Sequence, residues 1–229
     1  MNFLASSIEY IDVVLQVVLV VLLLLAANYR RYPLLFVYSL ILLSLTLLET
    51  WFVKHGTTFA SAQWRTLYWQ NEMVVDFLLF LMVILLTLKA LEGSPMRAKV
   101  KRLLLVVATG AALLPLVIFP ARFSPRWFYS TSQLLNFAAA ILNLALWGAM
   151  LGTRKRDPRL LAVSAGLGIA VTGAAIAYGV RQFTSAGGVG RSLVDLFKSA
   201  THAASMLIWC WAFLPTIKRR PAVRPVTSP

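Results

Sequence analysis

The stretch VDLFKSATHAAS, residues 194–205, places three ionisable side chains in a region otherwise rich in Leu, Ile, Trp and Ala. Asp195, Lys198 and His202 are separated by three and four residues, a spacing that puts them on one face of a helix. Carboxylate, ammonium and imidazole groups on one face can form ion pairs, bind a small polar ligand or exchange a proton. The rest of the chain decides which chemistry is available to them.

The surroundings of this stretch are apolar along the whole chain. Of the 229 residues 59% are hydrophobic, and the mean hydropathy is +0.77. An ordinary soluble domain contains about 45–50% apolar residues. The composition therefore predicts a membrane protein, in which an ionisable side chain at depth is by default a candidate for function.

Seven apolar stretches approach the roughly 20 residues that cross a bilayer, and charged residues, Pro or Gly bound them. The predicted spans are residues 8–28, 33–53, 71–91, 102–119, 130–152, 159–180 and 192–214. The predicted fold class is an all-α integral membrane protein, a bundle of seven transmembrane helices. We expect a single membrane domain, residues 1–217, followed by a basic, Pro-rich cytoplasmic tail, residues 218–229.

The distribution of Lys and Arg predicts the orientation of this bundle. With the N-terminus outside, the inner segments hold fifteen of the 22 basic residues, the outer segments hold six, and Lys198 lies within a span. Basic loops favour the cytoplasmic side, so we expect a multi-pass protein of the plasma (inner) membrane with its C-terminus inside. The net charge of +14 then reflects contact with anionic lipid headgroups at the cytoplasmic face, and no nucleic-acid partner is predicted.

In this orientation the polar residues concentrate in the outer half of the membrane. Six of the eight Asp and Glu residues are near or within that half, whereas the inner halves of the first three spans are almost purely apolar. The asymmetry predicts a polar pocket open to the outside and closed towards the cytoplasm. The candidate ligand- or proton-binding residues are Asp12, Glu49, Glu72, Asp76, Asn136, Asp195, Lys198 and His202.

Two plainer interpretations of these residues stay open. Four carboxylates are close enough to predicted helix ends to be interfacial: Glu9, Asp12, Glu49 and Glu72. The deeper side chains can instead form structural pairs between helices. We expect Lys198 to interact with Asp195 one turn away or with Asp76 across a helix interface, and Asp76 is also the expected partner of His202.

The predicted sixth span has a different pattern, with small residues at every fourth position. These residues are Ala162, Gly166, Ala170 and Ala174. Small side chains let two membrane helices approach closely, so this stripe predicts tight packing against a neighbouring helix.

The sequence contains few residues for other chemistry. One Cys and two His are too few for a catalytic zinc site, and no Gly-rich phosphate loop is present. We therefore predict no metal and no cofactor, and the residues favour a protein that is not an enzyme. The expected function is receptor-like or sensory binding of a small polar ligand or a proton, relayed to a separate protein partner. The alternatives are a small transporter or channel subunit and a structural subunit of a membrane complex.

Overall fold

The computed structural model describes residues 2–25, 28–54, 62–92, 94–118, 123–151, 157–184 and 188–214. All regular secondary structure in these residues is helical. The seven helices within them are α1 (Asn2–Leu25), α2 (Pro33–Lys54), α3 (Ala62–Ala90), α4 (Arg97–Ile118), α5 (Pro125–Leu151), α6 (Pro158–Arg181) and α7 (Val189–Phe213). A short 3-10 turn, Asn28–Arg30, precedes α2. The predicted tail, residues 218–229, lies outside the described residues.

The predicted all-α class is confirmed, and each predicted span coincides with one helix. The largest difference is in α3, which begins at Ala62, well before the predicted span at residue 71. Four segments are long and apolar enough to cross a membrane: Pro33–Phe52, Thr66–Ala90, Arg97–Ile118 and Pro158–Arg181. A shorter apolar helical segment, Tyr10–Leu25, lies in α1. The chain is therefore a multi-pass helical membrane protein.

The helices pack as a ring in which α7 closes the bundle against α1. Each helix contacts its sequence neighbours, and α3 makes further contacts with α5 and α6. The most buried of the four apolar segments is that of α6, with 67% of its residues inside the protein, whereas only 11% of the α4 segment is buried. Large side chains of α4, such as Leu105, Val106 and Val117, are 67–80% exposed. Helix α4 is thus a peripheral helix whose apolar surface suits contact with lipid.

One end of the bundle is held by an ion pair between distant parts of the chain. The Arg31 guanidinium lies 2.8 Å from Asp157 Oδ2, and the Lys89 ammonium donates to the Arg31 carbonyl oxygen at 2.9 Å. Asp157 also caps α6, because its Oδ1 accepts from the backbone N–H groups of Arg159 and Leu160. These contacts bring together the α1–α2 turn, the end of α3 and the start of α6, and we call this the basic end.

The small-residue stripe of α6 packs against α7, as predicted. Ala162, Ala170 and Ala174 are buried, and a Cβ added at Gly166 would lie 2.5 Å from Nε1 of Trp209. The Trp209 indole N–H donates to the carbonyl oxygen of Val163 at 2.9 Å, so the ring lies directly on the α6 backbone. Helix α7 therefore comes close enough to α6 for polar side chains of both helices to meet.

This contact predicts different effects for two glycine substitutions. A Cβ at Gly173 would lie 2.6 Å from Cβ of Thr201, too close to be accommodated without moving α7. Gly173→Ala should therefore destabilise the protein by about 1–3 kcal/mol through overpacking. At Gly148 nothing lies within 4 Å, so Gly148→Ala should be neutral or stabilise its helix by up to about 1 kcal/mol. Thermal unfolding in detergent measures both, and equal melting temperatures would contradict the tight α6–α7 contact.

Candidate functional site

Most of the predicted site residues gather in two adjacent side-chain clusters on the inner face of α7. The lysine cluster consists of Tyr68, Glu72, Asp76, Tyr178 and Lys198 and lies towards the end of the bundle opposite the basic end. The histidine cluster consists of Asp12, Gln16, Tyr38, Thr46 and His202 and lies near the middle. Lys198 and His202 are one helical turn apart on α7, so the clusters are neighbours.

The lysine cluster is built around an ion pair between α7 and α3. The Lys198 ammonium lies 2.5 Å from Glu72 Oε2 and 3.3 Å from the Tyr178 hydroxyl. That hydroxyl in turn lies 2.9 Å from Glu72 Oε2 and 3.3 Å from Asp76 Oδ2, and its single proton can be donated fully to one carboxylate at a time. Tyr68 donates to the other Glu72 oxygen at 3.1 Å. The ammonium is paired with Glu72, and the Tyr178 hydroxyl lies between Glu72 and Asp76, so the cluster has one more carboxylate than it has cations.

Asp76 is the most deeply buried carboxylate of the cluster. Asp76 is 3% exposed, and the Asn136 side chain of α5 lies next to its carboxylate. The Asn136 side-chain N–H donates to the Ser132 carbonyl oxygen at 2.9 Å, while its Oδ1 has no partner among the described residues. Two turns further along α5, Oδ1 of buried Asn143 also lacks a described partner. Such buried oxygens are positions at which membrane proteins bind internal water.

The histidine cluster joins three helices through one imidazole ring. His202 Nδ1 lies 2.9 Å from Asp12 Oδ1 on α1, and His202 Nε2 lies 3.2 Å from the Tyr38 hydroxyl on α2. Gln16 orients the carboxylate by donating to Asp12 Oδ2 at 2.7 Å. The Tyr38 ring is fully buried and packs edge-on against Trp209, with ring centroids 5.7 Å apart. Both ring nitrogens of His202 thus have a polar partner.

Tyr38 extends the polar contacts towards the basic end. It is five residues after the start of α2 at Pro33, or about 8 Å along the helix. The corresponding half of α2 was predicted to be apolar, yet its tyrosine hydroxyl reaches the imidazole from that side. The polar interior therefore runs from the lysine cluster past the middle of the bundle.

The direct partners of Lys198 and His202 differ from those expected. The Lys198 ammonium forms its ion pair with Glu72 and not with Asp195 or Asp76, although Asp76 is near enough to interact with it electrostatically. His202 contacts Asp12 and not Asp76. Helix α7 packs between α1 and α6, and this arrangement brings the face of α1 that carries Asp12 to the imidazole.

Two of the remaining candidate residues, Glu49 and Asp195, belong to neither cluster. Glu49 accepts from the Asn71 side chain at 3.4 Å, which links α2 to α3. Asp195 is apart from the site: its carboxylate is 3.4 Å from the Arg181 guanidinium, and its side chain is 50% exposed. Glu72, a candidate for an interfacial position, is ten residues inside α3 and pairs with Lys198. The side chain of Glu9, another of those candidates, lies outside what the structure describes.

Sequence reasoning missed the two tyrosines that connect the clusters to their surroundings. Tyr38 and Tyr178 are each at most 1% exposed, yet each hydroxyl contacts an ionisable side chain. A tyrosine within an apolar helix is a usable signal, because its hydroxyl must find a hydrogen-bond partner when the ring is buried. The tyrosine does not reveal which helix supplies that partner.

The chemistry of the site has to be inferred from its own side chains, since neither a metal-binding group of described residues nor a similar known protein indicates it. Among the described residues, no three His, Cys, Asp or Glu side chains are grouped so that they could hold a metal ion. No protein-family model, curated protein or solved structure matches this chain. The fold and the site together define a multi-pass helical membrane protein with ionisable side chains paired in its interior.

The ion pair of Lys198 predicts strong coupling to Glu72 and weak coupling to Asp195. Lys198→Met leaves the Glu72 carboxylate without its cation and should cost about 2 kcal/mol, less than the roughly 3–5 kcal/mol of a fully buried pair. Glu72→Gln in the Lys198→Met background should cost much less than in the native protein. A double-mutant cycle on unfolding in detergent measures this coupling.

Asp195→Asn is the matched control, because Asp195 is on the same helix face but pairs with Arg181. Its effect should add to that of Lys198→Met. Additive effects of the Lys198 and Glu72 substitutions, or strong coupling between Lys198 and Asp195, would contradict the observed pairing.

Proposed function

We propose that this chain is a seven-span protein of the plasma membrane, with its N-terminus outside and its C-terminus inside, that senses protons through His202. The observation that carries the proposal is the position of the His202 ring between Asp12 and Tyr38, where α1, α2 and α7 meet. Histidine is the side chain that ordinarily changes charge between about pH 5 and 8. A ring held by three helices can convert that change of charge into a change of packing.

A proton fits this site better than a larger polar ligand. The carboxylates that a ligand would contact are already engaged by side chains of the protein, Glu72 by Lys198 and Asp12 by Gln16 and His202. A proton needs no cavity, only contact with water. The side chains of Asp12, His202, Glu72 and Lys198 are 19–24% exposed, so the protein does not enclose them completely.

The hydrogen bonds around His202 allow it to gain a proton without losing a partner. In the neutral ring, Nδ1–H donates to Asp12, so Nε2 accepts the hydroxyl proton of Tyr38. In the charged ring both nitrogens donate, and Tyr38 must change from donor to acceptor. Protonation therefore turns the hydrogen bond to Asp12 into an ion pair and requires the Tyr38 hydroxyl to reorient beside Trp209.

Helix α7 is the element that would transmit this change. Its side chains bond to α1 through His202, to α3 through Lys198 and to α6 through Lys198 and Trp209. Since α7 runs from the lysine cluster towards the basic end, a displacement at His202 reaches the face where a cytoplasmic partner would bind. Coupled helix shifts of about 1–2 Å are common in switching proteins.

The proposed topology is supported by the lengths of the helices and by their polar faces. Helices α1, α5 and α7 contain 24, 27 and 25 residues, or roughly 36–40 Å of helix, enough to cross about 30 Å of hydrocarbon. Polar side chains of these helices, such as Asp12, Asn136 and His202, contact other helices inside the bundle. The concentration of Lys and Arg at the basic end favours the cytoplasm for that end.

The orientation predicts which single cysteines an impermeant reagent can reach. Cys210→Ala removes the single native cysteine. In this background Phe183→Cys should be labelled from outside intact cells, because Phe183 follows α6 and is 89% exposed. Arg30→Cys and Ser94→Cys, in the α1–α2 and α3–α4 connections, should be labelled only after permeabilisation. Labelling of Ser94→Cys in intact cells would reverse the orientation.

Proton sensing predicts a movement of α7 that depends on His202. Spin labels at Val74 of α3 and Leu193 of α7, both exposed, report the distance between the helices. Lowering the pH from about 8 to about 5 in lipid should change this distance by about 1–2 Å. His202→Gln, which retains hydrogen bonding but binds no proton in this range, should abolish the change.

His55→Gln is the control, because His55 is the other histidine of the chain and belongs to a predicted outer loop. It should leave the movement intact. A distance that is independent of pH in the unmodified protein, or that still changes in His202→Gln, would contradict the proposal.

A transport function is the second candidate, and the unpartnered oxygens on α5 are the observation that favours it. Asn136 lies beside Asp76, and Asn143 is about 10 Å further towards the basic end. Water between them would continue the polar interior towards the cytoplasm. Proton flux into liposomes that Asn143→Leu abolishes would favour transport, whereas pH-dependent movement without flux would favour sensing.

A further inference from the structure

The basic end contains a cavity that belongs to neither cluster. It has a volume of about 150 Å³, is partly open, and lies between α2, α3 and α6. Its walls are almost entirely apolar and include Leu34, Leu35, Met82, Leu86 and Val163. An apolar cavity of this size does not hold water well and accommodates a small hydrocarbon group.

Polar groups of one kind, hydrogen-bond donors, are grouped at this apolar cavity. Arg31, Tyr32 and Lys89 line it. The Lys89 ammonium lies 3.9 Å from the centre of the Tyr32 ring and uses one N–H on the Arg31 carbonyl oxygen, so further N–H groups remain for a ligand. Tyr32 is 3% exposed, and its buried hydroxyl has no partner among the described residues.

The net charge around this cavity is positive even when the Arg31–Asp157 ion pair is included in the count. Asp157 neutralises Arg31, whose side chain is 52% exposed. Lys89 has no acidic partner within ion-pair distance in the described part of the chain, and Glu92, three residues further along, acts on its charge from a greater distance. Arg159 is also near Tyr32 and adds a further positive charge. The cavity thus presents an excess of cations beside an apolar slot.

We propose that this cavity binds a phospholipid with an anionic headgroup. The apolar walls hold part of an acyl chain, and the phosphate accepts hydrogen bonds from Lys89 and Arg31. A free anion would gain nothing from the apolar slot. A zwitterionic lipid would bring its own cationic group close to Lys89 and Arg31, so an anionic amphiphile fits both features best. Basic pockets between helices at the cytoplasmic face are known sites for anionic lipid headgroups.

Such a lipid would connect three helices at the end opposite the lysine cluster. It would contact α2, α3 and α6 at the place where the Arg31–Asp157 pair already holds the chain. A ligand that binds the folded protein raises its unfolding temperature by mass action. The assignment to the cytoplasmic leaflet depends on the proposed topology, whereas binding itself does not.

The test measures thermal unfolding in a neutral detergent with added lipid. Phosphatidylglycerol should raise the unfolding temperature by at least about 3 °C, phosphatidylcholine with the same acyl chains should raise it by less than half as much, and inorganic phosphate should have no effect. Equal shifts with both lipids, or the full shift with inorganic phosphate alone, would overturn the proposal.

Substitutions then locate the effect in the cavity. Lys89→Gln removes the ammonium, and Leu85→Trp blocks the slot from a wall residue that is 49% exposed and can be enlarged without disturbing the core. Both should lose the phosphatidylglycerol shift. Lys101→Gln is the matched control, because it removes an exposed cation of α4 near the same end. Lys101→Gln should keep the phosphatidylglycerol shift of the unfolding temperature. If Lys101→Gln loses this shift as fully as Lys89→Gln, or if Leu85→Trp keeps it, the lipid binds elsewhere.

Discussion

A charged or hydrogen-bonding side chain within a bilayer has to find its partner inside the protein, because hydrocarbon offers none. In this molecule the ionisable side chains that meet inside the helical bundle are concentrated on α7, which carries Lys198 and His202 on its inner face. The ammonium is satisfied by Glu72 of α3 and Tyr178 of α6, and the imidazole by Asp12 of α1 and Tyr38 of α2. A rotation of α7 would break all four contacts, so the polar face determines how this helix sits in the ring.

The approach of α7 depends in turn on the small residues of α6. Gly166 lies against Trp209 and Gly173 against Thr201, so that the backbones come close over several turns. A larger side chain at either position would move Lys198 away from Tyr178. Packing and polar pairing are therefore linked: the glycines allow the distances at which the ion pair and the hydrogen bonds form.

The two ends of the bundle differ in their chemistry. The lysine cluster has more carboxylates than cations, whereas the basic end has more cations than carboxylates and one apolar cavity. Helices of 22 to 29 residues, or roughly 33–44 Å, connect these two ends. Asp12, His202 and Tyr38 lie between the two ends, so the proposed change of charge at the imidazole would occur midway between them.

The sequence by itself determined the helices, their apolar character and the position of each polar residue along its helix. Helix periodicity and length account for this, since they depend on residues close together in the chain. The α6 stripe and the grouping of Lys198 with His202 on one face were predictable for the same reason. Only the tertiary structure decided that Lys198 pairs with Glu72 and His202 with Asp12. Several carboxylates were available at similar depth, and the choice among them depends on which helices are neighbours, a consequence of packing over the whole bundle that no local pattern contains.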